Sequence, residues 1–219
     1  MTMDYASLIG TKGATGSIKT WVNSDLIESP TMVDEAADMI FQKLRHWQMI
    51  STHIGTITAG ATSFDVTARF RETVSLEFTG PVNQKLTPQV PFQIEQQRYY
   101  VTTTGAIGTN LPSVYAIKGT QVEFPSAMDQ NYVFRHVFFR DPPPLSTASG
   151  STTNFVTATY PRMMRAACMA QSFEFLRKQD EKLYWMGIME DRIQEANAEA
   201  ALATPGADQG WPSNYWSNG

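Results

Sequence analysis

The chain has 219 residues, of which 42% are hydrophobic, enough to bury an ordinary core in one domain or in one domain with an insertion. Its 17 Lys and Arg against 21 Asp and Glu give a net charge of -4, which excludes a DNA binder that relies on a basic face. The single cysteine excludes an intramolecular disulfide, and no signal peptide or run of about 18 apolar residues is present. We therefore expect a soluble protein that assembles in a cytoplasm.

Two helices are predicted near the start of the chain. Residues 17–22 form a short amphipathic pattern that ends near Asn23. A second helix is predicted to open at Pro30 or Thr31, with Asp34 and Glu35 in its first turns. Its apolar residues recur at helical spacing: Val33, Ala36, Ala37, Ile40, Phe41, Leu44 and Trp47.

Short β-branched and aromatic runs, separated by Gly, Pro and Asn, follow from about His53 to Arg140 and predict a β region. A hairpin turn is predicted at Lys118 and Gly119, between the fourth and fifth strands. The order in which the strands pair is left open. Strands are predicted at residues 63–70, 74–78, 93–102, 113–117, 121–124 and 132–140.

A linker and then a helical hairpin are predicted after the β region. Consecutive prolines at 142–144 remove hydrogen-bond donors, so the sheet cannot continue there, and the linker extends to residue 154. The first arm of the hairpin is predicted to start at Tyr160 and Pro161, and Asp180 to cap the second, which fades near Ala203. The predicted stripes are Met164, Ala167, Cys168, Gln171, Phe175 and Leu176, then Leu183, Met186, Ile193, Asn197 and Ala200.

The last residues, 204–219, are polar and interrupted by Gly and Pro, yet they contain Trp211, Tyr215 and Trp216. Disordered tails are usually poor in aromatic residues. We therefore interpret this segment as an interaction arm whose aromatic side chains contact a partner.

The order of these signals resembles a known family. WVNSD at residues 21–25 and the helix through residues 36–45 are similar to its opening helices. LPSVYAIKG at 111–119, VEFP at 122–125 and the strand at 132–139 before PPPLS resemble its central β region. TNF at 153–155, Tyr160 with Pro161, FLR at 175–177, Asp180 and Trp185 resemble its return helices. The family is that of the bacteriophage head-to-tail adaptors, or connectors, of short-tailed phages. Residues 56–91 have no clear counterpart in it, and the aromatic arm is more distinctive than shared.

This resemblance implies an α+β fold, in which an antiparallel helical bundle from both chain ends carries an inserted antiparallel β domain and an extended C-terminal arm. The expected segments are 1–52 for the first helices, 53–145 for the β insertion, 146–203 for the returning helices and 204–219 for the arm. The resemblance also implies a dodecameric ring at the virion neck, between the portal protein and the tail nozzle or tail tube protein. Double-stranded DNA would pass through without specific binding, and no enzyme activity, cofactor or membrane contact is expected.

The sequence offers only weak signals for a nucleotide site, a metal site or a catalytic thiol. Residues 10–17, GTKGATGS, lack the Gly-Lys-Ser/Thr end and the preceding strand of a phosphate loop. His46 and His53 are seven apart, which does not place two metal ligands on one helix face, and His136 is predicted to share a strand face with Phe134 and Phe138. We expect a structural role for each histidine and no metal site. A thiol hydrolase using Cys168 and a histidine is the least favoured alternative, because Cys168 lies on an apolar stripe.

The acidic bias of the last helix has two interpretations. The simpler is a solvated face, and the functional one is that Glu190, Asp191, Glu195 and Glu199 face the channel and repel the phosphates of DNA.

A tail or baseplate component outside the neck is the main alternative to the adaptor.

Overall fold

A computed structural model of the protein describes residues 3–102, 108–145 and 152–203. The chain divides into two compact units, one formed by Met1–Met49 with Pro142–Gly219 and one by Ile50–Asp141. The first unit is helical and the second consists mainly of antiparallel sheet. The α+β fold class predicted from the sequence is confirmed.

Seven α-helices lie in the described residues, and all but α4 belong to the helical unit. None of the helices in these ranges is both long enough and apolar enough to cross a membrane. The helices are α1 Tyr5–Leu8, α2 Ile18–Val22, α3 Ser29–Lys43, α4 Pro91–Thr102, α5 Phe155–Thr159, α6 Pro161–Phe175 and α7 Gln179–Ala203, with a 3-10 helix at Trp47–Met49.

The end of α3 corrects the prediction that its apolar stripe reaches Trp47. Leu44 is extended, so the helix stops at Lys43, and Trp47 lies half exposed in the 3-10 helix. A side chain from α7 binds the chain at this point: Asn197 Oδ1 accepts from the Arg45 N–H at 2.7 Å, and its Nδ2 donates to the Lys43 carbonyl at 3.2 Å. The second bond satisfies one of the carbonyls that the end of a helix leaves unpaired, and the first pairs a backbone N–H just beyond it.

Helix α6 is the centre of the helical unit, since it packs against α2, α3, α5 and α7. It is buried on nearly all sides, as expected for a helix surrounded by others, and alanines at 166, 167 and 170 allow close approach. The predicted hairpin of α6 and α7 is confirmed. However, α5 precedes it unpredicted, and Asp180 lies in the first turn of α7 and is not its cap.

Helix α7 is covered only along its second half. Its buried residues are Met189, Ile193, Ala196 and Ala200, whereas Leu183 is exposed, so the predicted stripe from Leu183 is wrong for its first half. The helix has 25 residues, and at about 1.5 Å per residue it is roughly 37 Å long. Its first turns therefore present apolar side chains to the surroundings.

The β-rich unit contains two four-stranded sheets with strand orders β1-β8-β3-β4 and β2-β7-β6-β5. Its core includes Leu76, Phe78, Phe124, Tyr132 and Phe134. The pairs are antiparallel except for β5 with β6, which is parallel. The strands are β1 Ile50–Ile57, β2 Ser63–Asp65, β3 Phe70–Gly80, β4 Asn83–Lys85, β5 Thr87–Pro88, β6 Val114–Lys118, β7 Gln121–Glu123 and β8 Tyr132–Arg140.

One predicted strand is a helix. Residues 93–102 form most of α4, which Pro91 opens with a φ already suited to a helix. Straight-chain residues such as Gln93, Glu95 and Arg98 favour a helix, and only Ile94 of the first turns is buried. The Arg98 guanidinium attaches α4 to the rest of the β-rich unit, since it donates to the Phe124 carbonyl at 2.8 Å and to the Thr62 carbonyl at 3.2 Å.

Smaller differences concern strand ends. The predicted strand at 63–70 is broken, because β2 ends at Asp65 and β3 begins at Phe70. Strand β1 was not predicted at all. The hairpin loop lies at residues 119–120, one residue later than predicted, and Gly119 has the positive φ of +61° that favours glycine. The strand at 132–140 is confirmed at both ends, with His136 on the buried face of Phe134 and Phe138.

Candidate functional site

The acidic residues of α7 do not form one uniform face. Asp191, Glu195 and Glu199 follow one another at four-residue intervals, so they form a stripe along the helix. Glu190 lies about 100° around the helix from Asp191 and pairs with Lys43 of α3. The structure therefore groups three of the four residues predicted to face the channel and turns the fourth toward the bundle.

Neighbouring groups bind two of the three carboxylates in this stripe. Arg192 pairs with Glu195 at 2.6 Å, and Glu199 accepts a hydrogen bond from the Tyr160 hydroxyl at 2.9 Å. Asp191 is exposed and makes no ion pair within the described parts of the chain. The stripe thus repels phosphate less strongly than three unpaired carboxylates would.

A groove of about 290 Å³ lies beside this stripe, between residues 159–163 and the side of α7 that carries Arg192, Glu195 and Glu199. Tyr160 occupies the point where α5 ends and α6 begins. The Tyr160 ring also contacts His46, edge to face, with 5.7 Å between the ring centres. The groove is therefore built by residues from α5, α6 and α7.

A directional chain of hydrogen bonds passes through Tyr160. Its hydroxyl proton goes to Glu199, so the contact of 3.2 Å between Tyr160 Oη and His46 Nε2 requires the imidazole to donate. His46 Nδ1 then accepts from the Gln48 N–H at 3.2 Å. The network thereby assigns the tautomer of a neutral His46.

The electrostatics of these hydrogen-bonded groups favour a structural role for His46 and Tyr160. Burial lowers the pKa of His46, although the Glu199 carboxylate opposes the shift. Burial, together with the bond to Glu199, raises the pKa of Tyr160 to about 12. Tyr160 therefore keeps its proton at neutral pH, and the lowered pKa favours the neutral imidazole that the hydrogen bonds require. The hydrogen bonds hold together the end of α3, the start of α6 and the last turns of α7.

The model of the SU10 adaptor protein family matches residues 3–209. The chain belongs to the SU10 adaptor protein family. No curated protein matches it. The adaptor is accordingly a phage structural protein. The matched range includes residues 56–91, for which the resemblance offered no counterpart.

The remaining chemical candidates of the adaptor have local roles. Cys168 is completely buried in α6, and burial raises the pKa of its thiol to about 12, so it is not the thiolate that a hydrolase needs. In the glycine-rich segment, Ser17 donates to the Gly10 carbonyl and the Gly13 N–H to Thr20. No group of three metal-ligating side chains occurs in the described residues.

Trp211, Tyr215 and Trp216 lie outside the described residues. The family match ends at residue 209, before all three of them. Their role in an interface remains a prediction from the sequence.

Proposed function

We propose that this adaptor forms a closed homo-oligomeric ring at the virion neck, between the portal protein and the tail nozzle or tail tube protein. Double-stranded DNA passes through the ring without specific binding. The observation that carries this proposal is the family match over residues 3–209, which spans both units. The resemblance implies twelve copies, joined head to tail.

The tip of the helical hairpin offers a contact surface for such an assembly. Phe175 ends α6, and Leu183 and Tyr184 lie in the second turn of α7, and all three side chains are more than half exposed. A cluster of exposed apolar side chains is typical of an interaction site. We assign the hairpin tip to contacts with neighbouring proteins of the neck.

The stripe of Asp191, Glu195 and Glu199 is proposed to face the channel. Asp191→Lys should slow genome ejection, because an unpaired cation on the channel wall would attract passing phosphates. Glu35→Lys is the matched control, since Glu35 is likewise an exposed carboxylate but lies on α3, away from the stripe on α7. Equal ejection rates for the two variants would contradict the assignment.

The arm is proposed to add a contact with the portal or with the adjacent copy. Each of its three large aromatic side chains buries about 150–250 Å² when docked. Removing residues 206–219 should leave the subunit folded, because α7 ends at Ala203, but should weaken binding. Replacing Trp211 and Trp216 with Ala should reproduce most of the loss, as aromatic anchors dominate interface energies.

Mixing purified adaptor and portal protein tests the proposal directly. The isolated adaptor is expected to be monomeric or weakly associating, and to form rings when portal protein is added, as followed by light scattering and electron microscopy. Stable free rings without affinity for the portal would contradict it. Copurification with fibre or baseplate proteins, without the portal, would instead support a tail component outside the neck.

A further inference from the structure

Strand β1 is an open sheet edge without the usual protection. It lies at the end of its sheet and pairs only with β8 among the described strands. Its sequence, ISTHIGTI, contains no Asp, Glu, Lys, Arg or Pro, and its register with β8 runs unbroken over all 8 residues. Such an edge presents unpaired backbone N–H and C=O groups that recruit another strand.

The other sheet edges in the described residues are protected. Strand β4 has 3 residues and carries Lys85, β2 has 3 residues and carries Asp65, and β5 has 2 residues, one of them Pro88. Short length, charge and proline are the means by which natural sheets prevent edge pairing. The contrast indicates that the edge of β1 is kept available for a partner strand.

The open edge also selects the chemistry of that strand. Thr52, Ile54 and Thr56 form its exposed side, and the Ile54 side chain is 66% exposed. Aromatic side chains beside β-branched ones form favourable cross-strand pairs. The absence of charge along β1 leaves a charged partner strand without a counter-ion.

One segment of the chain has the required composition. Residues 213–219, SNYWSNG, contain no proline and no charge, and place Tyr215 and Trp216 on opposite sides of an extended strand. We propose that residues 213–217 of a second copy's arm add to β1 as a fifth strand of its sheet. This inference rests on the proposed ring, which brings two copies side by side.

Nine residues, 204–212, connect the end of α7 to the proposed pairing segment. An extended chain covers at most about 3.3–3.6 Å per residue, so this spacer spans up to about 30 Å. Backbone hydrogen bonds would supply the affinity, and the alternate side chains the selectivity, as in other strand additions. Repeated around the ring, this contact would link each copy to the next.

Disulfide trapping between two chains tests the inference. One preparation carries Thr56→Cys and the other Tyr215→Cys, and Cys168 is buried and does not interfere. After mixing with portal protein and mild oxidation, we expect a disulfide between the two different chains. The matched control replaces Thr56→Cys by Thr79→Cys, an exposed position on β3, which should give none.

A chain that carries both Thr56→Cys and Tyr215→Cys completes the test, because it shows whether the link forms within one copy or between two. Two outcomes would overturn the inference: rings that form without a disulfide between copies, or a doubly substituted chain that links only to itself. If no ring forms at all, the proposed function fails instead, so the two failures are distinguishable.

A synthetic peptide of residues 206–219 provides a second measurement that needs neither ring nor portal. We expect it to shift the backbone NMR signals of β1, and Ile54→Lys to weaken its binding by about tenfold or more. Val133→Lys is the matched control, since Val133 is also exposed, at 38%, but lies on the inner strand β8. Equal binding by the two variants, or shifts elsewhere only, would overturn the inference.

Discussion

Replacing Tyr160 with phenylalanine tests the hydrogen-bond chain of the helical unit. The substitution keeps the ring that contacts His46 but removes the hydroxyl that accepts from His46 and donates to Glu199. Glu199 is exposed and regains its hydrogen bond from water. The His46 imidazole is 3% exposed, so its N–H stays buried without a partner.

The magnitude follows from that asymmetry. A buried donor left unpaired costs about 1–3 kcal/mol, whereas an exposed acceptor that is rehydrated costs little. We therefore expect Tyr160→Phe to lower the free energy of unfolding by about 1–3 kcal/mol. Glu199→Gln should cost less, because an amide oxygen still accepts from the Tyr160 hydroxyl.

Urea unfolding followed by the helical circular dichroism signal measures the effect. Tyr184→Phe is the matched control, since Tyr184 is 65% exposed and should change stability by less than about 0.5 kcal/mol. Coincident unfolding curves for the two variants would show that the hydroxyl of Tyr160 has no structural role.

Three further predictions concern His136, Cys168 and Gly55. Burial lowers the pKa of His136 from 6.5 to about 4, so the neutral ring stabilises the fold above pH 6.5 and this contribution declines as the pH falls toward 4; an NMR titration midpoint near 6.5 in the folded protein would contradict it. Cys168 should react with a thiol reagent only after unfolding, and Cys168→Ala should cost on the order of 1 kcal/mol and leave assembly intact; rapid labelling of the native protein would reopen the enzyme interpretation. A Cβ at Gly55 would lie 2.7 Å from Cζ of Phe134, so Gly55→Ala should destabilise the β-rich unit by about 1–3 kcal/mol, measured by thermal unfolding against Gly187→Ala on open α7.

Several elements of the fold could be predicted from local patterns of apolar and polar residues. The strand at 132–140 alternates buried and exposed residues over most of its length, and α3 repeats its apolar residues at helical spacing, so both could be predicted from neighbours in the chain. Asn23 likewise ends α2 in the left-handed conformation that Asn tolerates. In these cases the residues that determine the element lie within it.

Residues 93–102 show where this reasoning fails. Their apolar and aromatic residues fit either a strand or a helix, and the choice depends on distant contacts: Ile94 is buried, and Arg98 donates to the carbonyls of Thr62 and Phe124. Strand β1 was missed for a related reason, because its partner β8 lies about 80 residues further along the chain.

The candidate site likewise has features that the sequence predicts and features that depend on contacts between distant residues. The sequence by itself determined that the last helix is acidic and that the chain ends in an aromatic segment. Only the tertiary structure decided that Lys43 and Tyr160 bind two of the predicted carboxylates, and that His46 joins Tyr160 across 114 positions. The physical reason is that the charge and protonation of a side chain depend on its neighbours in space, which folding brings together from separate helices.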